Sequence, residues 1–131
     1  EVTTVDVEGR RATALRSTLD ALANVPVAPS VRLLPMFDVY VLAQSRHIEP
    51  MLAPEHKGAV FRPAAWVSAV VLVDGKIAGV WEYATRKDQT RVRVRMFDPP
   101  EAPLYREIEA EAGRLAGFLP TRVAVEFADA A

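Results

Sequence analysis

The sequence contains no cysteine, which excludes disulfide bonds, thiolate metal ligands and cysteine nucleophiles. The absence of cysteine is typical of a protein of the reducing cytoplasm, where we expect this chain to reside. No apolar run approaches the roughly 18 residues that a membrane helix requires, so we predict no membrane partner. The chain also lacks a strong excess of either charge. Its formal net charge is −1, so no overall field draws it to nucleic acid or to an acidic membrane.

The common motifs of catalytic and cofactor sites are missing as well. The sequence has no glycine-rich phosphate loop, Walker motif or dinucleotide fingerprint, and no serine stands in a nucleophile elbow. The two histidines, His47 and His56, have Glu49 and Glu55 near them in sequence, but their spacing is not that of a common metal motif. We therefore predict no catalytic residue, no metal and no cofactor in this chain.

What is present fits one soluble globular domain. The chain has 131 residues, of which 50% are hydrophobic and 25% charged, the proportions of ordinary folded domains. It starts at Glu1, without an initiator methionine, inside a strand-like run. We therefore expect it to be part of a longer protein.

A β-hairpin is the clearest local signal. Asp74-Gly75 separates the apolar runs Trp66–Val73 and Lys76–Ala84, and a two-residue type I′ turn prefers these residues because it needs positive φ twice. A further strand over Thr90–Phe97 makes a three-stranded antiparallel meander. The nearly continuous apolar character of Val67–Val73 predicts a strand covered on both faces, or a barrel wall.

An amphipathic helix is predicted from about Pro103 to Phe118, and Pro120 ends it. Arg122–Phe127 alternates as a last strand, which we place back on the sheet. Residues of the apolar helix face recur at offsets of three and four: Leu104, Ile108, Ala112, Leu115 and Leu119. The predicted fold class is α+β: an antiparallel β-meander or small barrel-like sheet, with the C-terminal amphipathic helix packed on it.

The first half of the chain divides near residue 25. Residues 1–24 predict a hairpin and a short helix, or the tail of a preceding winged-helix unit, and residues 31–127 predict a β-rich module with a terminal helix and strand. Val25–Ser30, with two prolines, is interpreted as a linker. The predicted local elements are strands at Val2–Val7, Arg11–Leu15 and Val31–Leu34, a helix at Leu19–Ala23 capped by Ser17 or Thr18, a strand or helical turn at Phe37–Leu42, and a brief helix at Glu55–Val60.

Positive charge is concentrated on the third strand of the meander. Arg91, Arg93 and Arg95 alternate with apolar residues, so their guanidinium groups share one face of the strand. Arg86 and Lys87 precede them. This pattern suits phosphate binding, but we favour the alternative of a solvated sheet face paired with nearby acids. In the second case the partners would be acids such as Glu82, Glu107, Glu109 and Glu111.

Two tryptophans, Trp66 and Trp81, flank the predicted hairpin at its open end. Such residues can stack on nucleic-acid bases, and they can equally pack in the core. We favour core packing for both.

The order and spacing of several segments resemble those of winged-helix DNA-binding-domain proteins. This family includes bacterial DNA glycosylases that excise alkylated bases and unhook interstrand crosslinks. The segments that resemble it are residues 33–42 (LLPMFDVYVL), Ser45-Arg46, the hairpin Val70–Trp81 and the helix Glu109–Leu119.

The resemblance implies tandem winged helices followed by a small β-rich, barrel-like module, to which this chain is similar. In the glycosylases the catalytic glutamine-containing motif lies in the first winged helix, so the resemblance implies no catalytic residue here. It leaves both an enzymatic and a non-enzymatic parent open. The implied partners are DNA, bound through the full-length protein, and the upstream winged helices of the same chain.

Three functions remain open at this point. The first is a non-catalytic C-terminal module that assists DNA backbone binding and scaffolds the winged helices. The second is a structural or protein-interaction module without nucleic-acid contact. The third is a small barrel for an apolar ligand, lined by Trp66, Trp81 and Phe97. The candidate DNA-binding residues of the first function are Arg46, Arg62, Arg86, Arg91, Arg93 and Arg95.

Overall fold

The computed structural model of the chain describes residues 1–128. In that range the strands are β1 (Val2–Val7), β2 (Arg10–Leu15), β3 (Val31–Leu34), β4 (Phe61–Arg62), β5 (Trp66–Val67), β6 (Val70–Val73), β7 (Lys76–Arg86), β8 (Gln89–Met96) and β9 (Arg122–Phe127). The α-helices are α1 (Arg16–Ala23), α2 (Val39–Ala43), α3 (Lys57–Val60) and α4 (Ala102–Arg114), and 3₁₀ turns occur at Pro54–His56 and Leu115–Gly117. No helix of this described part has the length and apolar character needed to cross a membrane.

A five-stranded sheet with the order β3-β6-β7-β8-β9 organises residues 31–127. Its first three pairings are antiparallel, and β9 lies parallel to β8. The crossover between these last two strands is α4, as a parallel connection requires. The mixed α+β fold with a C-terminal helix is thus confirmed, and the antiparallel meander is confirmed in part: β6, β7 and β8 pair antiparallel, whereas β9 joins the sheet in parallel.

The barrel-like alternative is wrong, because the sheet is open. Strands β3 and β9 form its two ends and do not pair with each other in the described residues. Closure would need β9 to reach β3. The α4 crossover instead places β9 beside β8, at the far edge.

The turn between β6 and β7 has the predicted geometry. Asp74 and Gly75 have φ values of 49° and 81°, the positive pair of a type I′ turn. The backbone N–H of Asp74 donates to the Ser30 carbonyl at 2.9 Å, and its side-chain Oδ1 accepts from the Ser30 N–H at 2.7 Å. These bonds join the hairpin tip to the residue that precedes β3.

The predicted single strand Trp66–Val73 is two strands, which is a correction. Strand β5 pairs with β4 in a separate two-stranded sheet, whereas β6 pairs with β3 and β7. Hydrogen bonds to other parts of the chain accompany the break. The Ser68 N–H donates to the Val60 carbonyl at 2.9 Å, and the Val67 carbonyl accepts from the Phe37 N–H at 3.3 Å.

Both faces of the sheet are covered at β6, as the apolar run predicts. One face packs against α4, where Ile108 and Ala112 contact a cluster that includes Val71 and Val94. The other face packs against the segment of residues 37–67, whose cluster includes Val70. Alternate residues of β6 therefore enter different clusters.

The remaining helices differ from the predictions in detail. Helix α1 begins at Arg16, directly after β2, and its N-cap residue Leu15 makes no side-chain capping bond, so the predicted cap at Ser17 or Thr18 is wrong. The strand-or-turn segment Phe37–Leu42 contains the helix α2, whose cap Asp38 accepts from the Tyr40 N–H at 2.8 Å. The brief helix near residues 55–60 is confirmed. Helix α4 stops at Arg114 and continues as a 3₁₀ turn.

Candidate nucleic-acid interface

Strand β8 divides its side chains between a buried face and a charged face. Val92, Val94 and Met96 are buried in the cluster that α4 covers. Because side chains alternate along a strand, Arg91, Arg93 and Arg95 lie on the opposite face of the sheet. Arg91 and Arg93 are exposed, and Arg95 is half-buried.

The neighbouring strands add two more arginines to this face. Strand β7 pairs Arg86 with Gln89, and β9 pairs Arg122 with the same Gln89. Directly paired residues point to the same side of a sheet, so both arginines share the side of Arg91. We call the set Arg86, Arg91, Arg93, Arg95 and Arg122 the arginine face.

Two carboxylates lie among these cations. Glu82 on β7 and Glu126 on β9 are the register partners of Arg93, one on each side. Glu126 is bound diagonally by Arg91, with 2.9 Å between Oε1 and Nε. Both side chains of that pair remain about half exposed to solvent. Five arginines against the two acids of these strands give the face an excess of positive charge, on a protein whose formal net charge is −1.

The acids of α4 do not neutralise this face. Helix α4 covers the other side of the sheet, and within residues 1–128 its acids form no ion pair with any arginine of β8. Glu111 instead pairs with Arg114 of the same helix, at 3.2 Å. The expectation that Glu107, Glu109 or Glu111 pairs with the arginines of β8 is therefore not met within residues 1–128.

The sequence-predicted candidates fall into two groups. Arg86 and the three β8 arginines are brought together on the arginine face. Arg46, in the turn after α2, and Arg62, in β4, belong to the segment that covers a different part of the sheet. Arg122 was missed, because only the parallel register of β9 places it beside Gln89.

The arginine face ends at a shallow groove beside the covering segment. The groove is lined by Glu55, His56, Arg95 and Phe97, among others. The His56 ring stacks on the Phe97 ring, with the centroids 4.1 Å apart and the planes 11° from parallel. No group of three or more metal-type side chains converges anywhere in residues 1–128.

The aromatic residues proposed for a ligand cavity do not meet. Trp81 belongs to the cluster under α4, and Phe97 packs on the cluster of the opposite face. Trp81 is buried and donates its Nε1–H to the Leu34 carbonyl at 2.8 Å, as core packing predicts. Trp66 is exposed, so the prediction of core packing is wrong for this residue.

Comparisons with known proteins give consistent matches. Residues 1–118 match the family model described as DNA glycosylase AlkZ-like. An interstrand DNA cross-link repair glycosylase from Streptomyces sahachiroi is 41% identical over 128 residues, which cover 94% of this chain and 33% of that protein. The solved structure of the Streptomyces sahachiroi DNA glycosylase AlkZ superposes with a TM-score of 0.82 at 37% identity, covering 97% of this chain and 33% of that one. The chain thus spans about a third of the length of these relatives.

Proposed function

The chain belongs to the AlkZ-like DNA glycosylase family, and we propose that it is a non-catalytic module that contacts the DNA backbone for a longer protein. The observation that supports this proposal is the arginine face. It gathers five guanidinium groups from three adjacent strands on one open side of the sheet. Guanidinium groups match phosphate oxygens in geometry as well as in charge.

The spacing along β8 suits a phosphate chain. Successive arginines are two residues apart, which corresponds to about 6.6–6.8 Å along a strand. That distance is comparable to the separation of neighbouring phosphates on one DNA strand. Contacts of this kind fix position without reading sequence, so the binding we propose is sequence-independent and sensitive to salt.

The parent protein is proposed to supply the rest of the activity. The two relatives are named as DNA glycosylases, and this chain spans about a third of each. We place the catalytic groups, and the winged helices that the sequence resembles, in other parts of the protein. Large apolar side chains stay exposed on the N-terminal hairpin and α1, among them Val2, Leu15 and Leu22. These side chains are suited to packing against such preceding units.

Fluorescence anisotropy with a labelled duplex of mixed sequence tests the backbone contact. We expect wild-type binding that weakens steeply between about 50 and 200 mM salt. Arg93→Glu should weaken binding at the lower salt by about fivefold or more and reduce the salt slope by about one, equally for unrelated duplex sequences.

Arg106→Glu is the matched control, because Arg106 is exposed on α4, on the other side of the sheet. It makes the same change in charge without touching the arginine face. Equal effects of the two variants would refute a local contact. If the wild-type chain fails to bind at low salt, the proposal is wrong and the structural or protein-interaction function is favoured. The Arg91–Glu126 ion pair is the feature that supports that second function.

A further inference from the structure

Two aromatic residues stand together on the surface, away from the arginine face. Trp66 is 42% exposed and Phe37 is 43% exposed. Their ring centroids are 5.3 Å apart and their planes meet at 70°, an edge-to-face contact. The other tryptophan, Trp81, is 9% exposed and has its indole N–H satisfied. The core therefore accommodates one tryptophan fully, while the second stays partly in solvent.

The backbone around the pair adopts conformations that L-residues rarely accept. Phe37 has a φ of 58°, which is an outlier for a bulky side chain. Ala64 and Ala65, in the turn between β4 and β5, have φ values of 61° and 58°. Residues held in this way cluster at ligand-binding sites, where the surrounding structure compensates for the strain.

The backbone next to the pair is hydrogen-bonded to a buried residue. The Phe37 N–H donates to the carbonyl of Val67, the neighbour of Trp66, at 3.3 Å. Val67 is buried in the cluster with Val60 and Val70. The backbone of Phe37 is thus bonded directly to a residue of the core.

A cation lies directly beside the pair. Arg62 is the direct partner of Trp66 across the β4–β5 ladder, and it is exposed without an ion pair within residues 1–128. Residues 57–73 contain two cations, Lys57 and Arg62, and no acid. The nearest acid in sequence to Phe37 is Asp38, whose carboxylate caps α2.

We propose that Trp66 and Phe37 form a stacking site for an unpaired nucleic-acid base, with Arg62 contacting the adjoining phosphate. An aromatic surface beside a cation is the arrangement that binds single-stranded nucleic acid without sequence preference. A base needs an aromatic face and its backbone needs a cation, and both are present here. The inference rests on the proposed function for the identity of the polymer. It adds a distinct site that prefers unpaired over paired nucleotides.

The test compares a short labelled oligothymidylate with a duplex of the same length. Trp66→Leu should weaken single-strand binding by about tenfold, since removing one stacked aromatic residue typically has an effect of this size. Duplex binding should change less than twofold. Trp66→Phe should restore most of the single-strand affinity. Phe118→Leu is the control, because Phe118 is exposed, follows α4 and lies outside the proposed site.

A second measurement needs no variant. Because Trp81 is buried, acrylamide should quench mainly the emission of Trp66 in the wild-type chain. Saturating oligothymidylate should protect that emission, and the duplex should protect it less. Protection of Trp66 by oligothymidylate would support the stacking site, and its absence would refute the site, even if Trp66→Leu did not fold.

The outcomes separate the two proposals. If Arg93→Glu weakens duplex binding while neither Trp66→Leu nor quenching responds to the single strand, the stacking site is wrong and the backbone contact stands. Retained single-strand binding with equal effects of Trp66→Leu and Phe118→Leu also refutes the site, and favours a protein surface there. If neither nucleic acid binds, both proposals fail.

Discussion

Glu126→Gln should strengthen DNA binding, because the Glu126 carboxylate forms an ion pair with Arg91, one of the arginines of the proposed interface. Glu126 Oε1 lies 2.9 Å from Arg91 Nε. It is also the register partner of Arg93 on β9. The amide keeps the size of the side chain and removes its charge. Both partners are about half exposed, so losing the ion pair should lower the free energy of unfolding by less than about 1 kcal/mol.

The expected gain can be estimated from counterion release. Each phosphate that a protein neutralises contributes about 0.9 to the slope of log K against log salt. Freeing Arg91 for one such contact should steepen the slope by about that amount. Between about 50 and 200 mM salt, the loss of affinity should then be about 3–4 times larger than for the wild type. At the lower salt the variant should bind the duplex more tightly.

The assay is fluorescence anisotropy over that salt range, with Glu109→Gln as the matched control. Glu109 is exposed on α4, so this control removes the same charge from the opposite side of the sheet. If both variants gain affinity equally, net charge alone explains binding and the arginine face has no special role. If Glu126→Gln weakens binding, the carboxylate orients Arg91 productively, and our account of the ion pair is wrong.

Two further predictions concern the sheet that presents the arginine face. Gly79→Ala should lower the free energy of unfolding, measured in urea, by about 1–3 kcal/mol, because a Cβ there would lie 2.6 Å from the Arg95 carbonyl oxygen. The control Gly113→Ala, at a helical position with no atom within 4 Å of the new Cβ, should raise the free energy of unfolding by about 0.5–1 kcal/mol. Equal effects of the two substitutions would contradict the packing argument. Thr90→Val should lower the free energy of unfolding by about 1 kcal/mol, because the fully buried Thr90 hydroxyl forms hydrogen bonds with the hydroxyls of Thr85 and Thr121, at 2.9 and 2.6 Å. An unchanged urea midpoint would show that these bonds add nothing to stability.

Local signals made the arginine strand predictable. The alternation of arginine with apolar residues from Arg91 to Met96 has the period of a strand, so its charged and buried faces follow from the sequence alone. The Asp74-Gly75 turn was predictable for the same reason, since its φ values depend on two adjacent residues. Both features require only neighbours along the chain.

Features that depend on distant residues were not predictable. The alternation in Arg122–Phe127 predicts a strand but not its direction. The parallel register, which adds Arg122 and Glu126 to the arginine face, therefore could not be predicted from the sequence. The break after Val67 depends on hydrogen bonds from Phe37 and to Val60, residues that local propensity does not link. The exposure of Trp66 follows from that break, which explains why the sequence favoured the core for it.

The length of β7 determines where the arginine face can form. Its first half, Lys76–Val80, pairs with β6 beneath the segment of residues 37–67, and Ile77 is buried in that cluster. Its second half continues past β6 and pairs with β8 as far as Arg86. On this face the side chains change from Val80 to Glu82 and Ala84 as the cover ends. The strand offset therefore leaves β8 and β9 open to solvent on one side, while α4 supports them on the other. A half-covered sheet suits the proposed backbone contact, because its guanidinium groups are spaced by the strand and not by flexible loops.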